Sequence, residues 1–190
     1  MTPNPIAAAW PTGGEPVILD VSTAITTNAL TTRLAAECRK FPGLWALDAT
    51  GAATDDPAGV FGEPPGALLP MGGLDHGHKG FALGLLVEAL TSGLAGHGRA
   101  EPAEGWTANV FLQVFDPKAF GGGEAFVRQT EHLAAACRAV PPRADFSRVR
   151  LPGEAGLRRR VEQLEKGVAL DPSVIQAIEP WAAKLGVSMP

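Results

Sequence analysis

The chain has 190 residues, 45% of them hydrophobic and 19% charged, with a net charge of −4 and a pI near 5.6. This composition suits one good core or two small ones and excludes a disordered chain. The acidic balance excludes the basic face that nucleic acid needs, and the absence of tyrosine removes one common acid–base side chain.

Residues 1–16, MTPNPIAAAWPTGGEP, have no basic start and are broken by prolines, unlike a signal peptide. A β-branched and apolar run over 17–21 reads as a buried strand, with Asp20, Ser22 and Thr23 at its end. Residues 30–40 read as a helix, with Leu30, Leu34 and Cys38 on one face and Pro42-Gly43 as its stop. Cys38 and Cys137 both fall in helix-like patterns and are expected to be buried, reduced thiols, which favours a cytoplasmic protein.

Residues 44–57 are strand-like and then turn-rich, and 59–70 form a Gly/Pro loop. The segment GGLDHGHKG (72–80) opens a helix expected from about Lys79 to Leu94, closed by Gly96 and Gly98. The apolar run 81–90 inside it is interrupted by Gly84 and Glu88 and is too short to span a bilayer. TANVFLQVF (107–115) is apolar on both faces and is expected to be a central strand.

Two amphipathic helices follow. Residues 124–140 place Phe126, Thr130, Leu133 and Cys137 on one face, and 152–166 carry Leu157, Val161 and Leu164 as a stripe. Asp171 as N-cap and Pro172 at the first helical position open a last helix, lined by Ile175, Ile178, Ala182 and Leu185 and ended by Gly186. Alternating strands and helices predict an α/β class with an α+β tendency.

The chemistry begins at Lys79. A cation in the first turn of a helix opposes the dipole unless an anion is shared with the free N–H groups there, and a dinucleotide pyrophosphate is such an anion. A Gly-rich loop with a solvated lysine accounts for the same residues, and neither a P-loop nor a G-x-G-x-x-G after a strand is present. Asp20 at a strand end could accept ribose hydroxyls and Ser22 could donate to a phosphate; equally, Ser22 or Thr23 simply caps the next turn. Asp75, His76 and His78 are too few to complete a metal site, and none is expected. No catalytic triad or carboxylate pair is recognisable.

Several segments taken together resemble the malate/L-lactate dehydrogenase family of NAD(P)-dependent oxidoreductases, which includes ureidoglycolate and sulfolactate dehydrogenases. They are TPNPIA (2–7), LDVSTA (19–24), GLWALDATGAATDDP (43–57), LLPMGG with HKGFALGLLVEAL (68–90), VFLQVFDPKAF (110–120), LPGE (151–154) and GVALDPSVIQAI (167–178). The resemblance implies a non-Rossmann dinucleotide-binding fold, with a mixed sheet flanked by helices and C-terminal helices. It implies a dinucleotide-binding domain over 1–145 and a C-terminal helical segment over 146–190. It further implies a homodimer, a 2-keto or 2-hydroxy acid as the small-molecule partner, and no nucleic acid or membrane.

The family's cofactor contacts carry over to Asp20, Val21 and Ser22, to His78 and Lys79, and to Gly153 and Glu154. The cofactor is NAD or NADP, because no single basic residue can be assigned to a 2′-phosphate. Two departures stand out. About five residues around 74–77 are extra between the Gly-Gly and the His-Lys-Gly. The family's Ser-His-Gly motif and catalytic lysine have no counterpart, so no catalytic residue is assigned. The expectation is a cofactor-binding fragment of a 2-hydroxy-acid dehydrogenase, inactive alone; the alternative is a non-catalytic dinucleotide-binding or interaction module.

Overall fold

The computed structural model describes residues 4–101, 105 and 108–189. Strand β1 (Pro5–Trp10) and strand β2 (Val17–Ser22) form an antiparallel hairpin, in register from Pro5 opposite Ser22 to Trp10 opposite Val17. Its turn is tied by Thr12, whose hydroxyl donates to the Glu15 carbonyl (2.9 Å) and accepts the Gly14 N–H (3.0 Å). β1 is not expected from a Pro-broken sequence. It forms because Pro5 takes the first position of an edge strand, where a missing N–H costs no ladder bond.

The backbone beyond β2 stays paired. Thr23 N–H donates to Asn4 O (3.1 Å), Ile25 N–H to Leu69 O (2.9 Å), and Met71 N–H to Thr23 O (2.8 Å). Helix α1 (Asn28–Ala36) follows, capped by the Thr27 hydroxyl accepting from Leu30 N–H. Strands β3 (Ala46–Leu47), β4 (Ala53–Thr54) and β5 (Ala67–Leu68) make a second antiparallel sheet in the order β4-β3-β5. Leu34, Phe41 and Ala46 form the core between α1 and this sheet, with Leu30, Trp45, Val60 and Leu68 packed on it.

Helix α2 (Gly73–Glu88) starts earlier than expected and is kinked at His76 (φ −129°, ψ 18°). The regular helix therefore restarts at Gly77, so Lys79 does sit in a first helical turn, and residues 73–76 form an added turn in front of it. α2 buries Gly77, Gly80 and Gly84 rather than its apolar residues. A Cβ on Gly80 would run into the backbone of Met71 and come within 2.8 Å of Thr23 O. Glycine is what lets this helix rest on the end of β2.

Helix α3 (Gly123–Ala139) is held to the hairpin turn by the Thr130 hydroxyl donating to Pro11 O (2.7 Å) and by Glu131 accepting Gly13 N–H (2.9 Å). Helix α4 (Glu154–Lys166) and helix α5 (Pro172–Leu185) complete the chain, α5 with the Asp171 cap and the left-handed Gly186 (φ 66°) read from the sequence. No helix among the described residues is long and apolar enough to cross a membrane.

The α/β class stands, with three corrections. The described residues form two small antiparallel sheets rather than one mixed sheet. The expected central strand is absent: 108–115 form neither helix nor strand, and Val110, Leu112 and Val114 are 87%, 84% and 85% exposed, while Thr107 lies outside the described residues. Strand propensity without a neighbouring strand to complete the ladder does not make a strand. Cys38 is exposed rather than buried, and Cys137 is half-buried.

The cause at Cys38 is local. α1 ends two residues earlier, and Cys38 adopts a left-handed φ of 53°. Its N–H bonds Ala35 O and the Arg39 N–H bonds Leu34 O, the pattern of a helix stop usually made by glycine. Replacing Cys38 by Gly should therefore raise stability by about 0.5–1 kcal/mol, the left-handed penalty less the added chain entropy, as read from the urea midpoint at unchanged slope.

Candidate cofactor site

β2 is where the candidate site begins. Ile18 N–H donates to Pro152 O (3.1 Å), pinning the Pro-Gly-Glu turn against the strand. Gly153 has φ 92°, and a Cβ there would lie 2.9 Å from Ile18 Cβ. Conformation and close approach thus both require glycine at this position. α4 starts at once, and Gly153, Gly156, Leu157 and Arg160 repeat at the spacing of one helical face. With Ile18, Leu19, Asp20, Val21 and Pro152 they line a groove of about 420 Å³.

A second cavity of about 390 Å³ lies at the other end of β2, where Thr23, Asn28, Pro70, Gly80 and Phe81 meet. Glu88 closes this side: its Oε1 accepts from Asn4 Nδ2 and from Arg99 Nη2, both at 2.6 Å. The Arg99 hydrogen bond, then that of Asn4, lowers the Glu88 pKa.

Three of the expected site residues, Asp20, Val21 and Gly153, share the groove. Asp20 is exposed. Ser22 is turned to its own chain, its Oγ accepting Ala24 N–H (3.1 Å), so the capping alternative is the arrangement found. His78 and Lys79 are exposed and line neither cavity; they precede Gly80, the residue seated on Thr23. The His78 ring stands edge-on to His76 at 6.2 Å between centroids. No group of three or more His, Cys, Asp and Glu residues among those described could hold a metal ion.

Glu154 has a partner of its own. Its Oε1 accepts from Arg138 Nε (2.9 Å), and Arg148 Nη2 lies 3.7 Å from Oε2. The Arg138 hydrogen bond, followed by the charges of Arg138 and Arg148, pulls the Glu154 pKa below its ordinary value against the opposing effect of burial. Glu154 thus fastens α3 to the turn, while its buried Oε2 has no hydrogen-bond partner. The sequence reading missed Gly156, Leu157 and Arg160 as groove residues. The signal is the i, i+3, i+4, i+7 spacing from Gly153, masked by the apolar stripe of Leu157, Val161 and Leu164 on the same helix.

The malate/L-lactate dehydrogenase family matches residues 1–179. The chain belongs to that family. It is 31% identical to an L-lactate dehydrogenase of Cupriavidus necator over 196 aligned positions, covering 100% of this chain and 55% of the relative. It is 30% identical to a Δ1-pyrroline-2-carboxylate/Δ1-piperideine-2-carboxylate reductase of Pseudomonas syringae pv. tomato, covering 94% of this chain and 51% of the relative.

The fold matches the solved structure of malate dehydrogenase from Pyrococcus horikoshii with a TM-score of 0.75 at 22% identity, over 98% of this chain and 52% of that one. The family's members named here are dehydrogenases and reductases, so the chain is of an oxidoreductase family. It spans about half the length of the curated relatives it matches.

The Glu154 contacts carry a prediction with a defined sign. A folded pKa below the unfolded one adds stability that is present above the unfolded value, about pH 4.3 for glutamate, and is lost as pH falls through the folded value. Glu154→Gln should cost about 1–2 kcal/mol at pH 7, solvent at Arg138 screening part of the loss. The gap to the wild type should close as the pH drops below about 4. Urea melts of both proteins at several pH values check this; a gap that does not change with pH would remove the charge from the account.

Proposed function

We propose that the chain is the dinucleotide-binding part of an NAD- or NADP-dependent oxidoreductase that moves a hydride between nicotinamide and a 2-hydroxy or 2-keto acid. The observation that carries this reading is the groove in which Asp20 and Val21 of β2 meet Gly153 at the start of α4, in a chain of this family. Its residues fit a nucleotide. Leu157, Pro152 and the β2 side chains offer an apolar wall for a flat base, and the exposed Asp20 carboxylate offers an acceptor for ribose hydroxyls.

Lys79, in the first turn after the His76 kink, is suited to the pyrophosphate, together with His78 beside it. Ser22 and Glu154 act on the site indirectly, by shaping the strand end and by fixing the turn. When bound, the nucleotide supplies the hydride chemistry, and the chain's part is to bind and orient it.

The finer reading is a non-Rossmann dinucleotide-binding fold, supported by the antiparallel hairpin that forms the groove wall and by the lack of a G-x-G-x-x-G after a strand. Residues 1–145 form the dinucleotide-binding domain in this reading, and the helical segment 146–190 contributes the second wall of its groove. A homodimer, a cytoplasmic location and a small 2-keto or 2-hydroxy acid as partner belong to the same proposal, with no nucleic acid or membrane.

These 190 residues contain no Ser-His-Gly triplet, and taken by themselves they read as a dinucleotide-binding module. A keto acid needs a proton on its oxygen as hydride reaches its carbon, and a positioned acid contributes a factor of about 10²–10⁴.

The chain alone should therefore bind NADH or NADPH without turning over 2-keto acids, as followed by nicotinamide absorbance. Turnover of about one per second or faster would mean that these residues hold the missing acid. Asp20→Ala and Lys79→Ala should each weaken nucleotide binding by about 1.5–3 kcal/mol in calorimetric titration. Unchanged affinity in either variant would remove that residue from the site.

A further inference from the structure

The groove beside β2 contains a cation to which the reading above gives no task. Arg160 stands seven residues on from Gly153 on the same α4 face, and it lines the groove together with Ile18, Leu19, Asp20 and Val21 of β2. Its neighbours are engaged elsewhere: Arg158 lies 3.9 Å from Glu162, and Arg138 and Arg148 share Glu154. Arg160 makes no ion pair with any described residue. An unpaired guanidinium on a concave wall presents a planar fork of donors that matches a phosphate in two-pronged fashion.

The charge around the groove points the same way. Asp20 and Arg160 are the charged residues that line the groove, and the N-terminus of α4, at Gly153, adds a partial positive charge. A neutral ribose diol gains little from a guanidinium and a helix N-terminus. A phosphate monoester, with a charge of about −1.5 to −2, gains from them directly.

We propose that Arg160 binds the adenosine 2′-phosphate of NADP, so that this site takes the phosphorylated nucleotide in preference to NAD. The inference rests on the groove being a nucleotide pocket. Asp20, on β2, remains free to accept a ribose hydroxyl. The same guanidinium could instead meet the pyrophosphate, which both nucleotides share; the test separates these two sources of phosphate.

The experiment is calorimetric titration of the wild type, Arg160→Ala, Arg160→Lys and the control Arg159→Ala with 2′,5′-ADP and with 5′-ADP. The wild type should bind 2′,5′-ADP about tenfold tighter or better, and Arg160→Ala should abolish that advantage, a loss of about 10- to 100-fold. Its affinity for 5′-ADP should stay within about twofold, because a lost phosphate contact touches only the ligand that has it. Arg160→Lys should keep part of the advantage, since the charge stays and the fork is lost.

Equal losses for both ligands would place Arg160 on the pyrophosphate and overturn the proposal, as would an Arg160→Ala protein that still discriminates. Wild-type binding of both ligands with equal affinity would overturn it while leaving the nucleotide pocket intact. Wild-type binding of neither would overturn the pocket as well. Arg160 is exposed, so its variants should melt like the wild type, and the conservative Arg160→Lys guards against a folding defect.

Discussion

Backbone hydrogen bonding along residues 17–25 holds three remote stretches of the chain in one line. β1 pairs along one edge of β2, Leu69 and Met71 pair with the residues just past its end, and Pro152 accepts from Ile18 near its start. Each hydrogen bond adds only about 0.5–1.5 kcal/mol net, yet together they decide where every wall of the groove stands. Glycine makes the arrangement possible at both ends. Gly80 admits α2 onto Thr23, and Gly153 admits the α4 turn onto Ile18. A side chain at either place would push a helix away from the strand that gives it its position.

Much of this was legible in the sequence because it is governed by neighbours in the chain. β2 announces itself by its β-branched run, and α5 by Asp171-Pro172 and Gly186, all local signals. β1 was not legible, because its pairing depends on a partner strand rather than on its own proline-broken segment. The kink at His76 was hidden for a similar reason: it arises where Gly72 and Gly73, both at positive φ, lead into the helix. The stretch 107–115 misled in the opposite direction, since its pattern is that of a strand and no described strand pairs with 108–115.

The site shows the same division. Asp20 and Lys79 could be picked out by local chemistry, one at a strand end and one at a helix start. Gly153 came from the family resemblance, and its reason became visible only with Ile18 beside it. Arg160 is the last of three consecutive arginines, and only its spacing from Gly153 sets it apart from Arg158 and Arg159. Only the placement of α4 against β2 shows which one meets the groove. The residue that distinguishes related ligands was thus the least legible, because its role depends on which way a helix face points.

The bare run at 109–115 has a consequence for the material itself. From Asn109 to Phe115 it holds no charge, proline or glycine, the composition of segments that stack edge to edge into fibrils. Asp116, Pro117 and Lys118 follow immediately and act as a stop to such stacking on one side. Repulsion between molecules supplies the remaining protection, and with a pI near 5.6 it vanishes in mildly acidic buffer. Colloidal stability of this chain therefore falls as the solution pH approaches the pI.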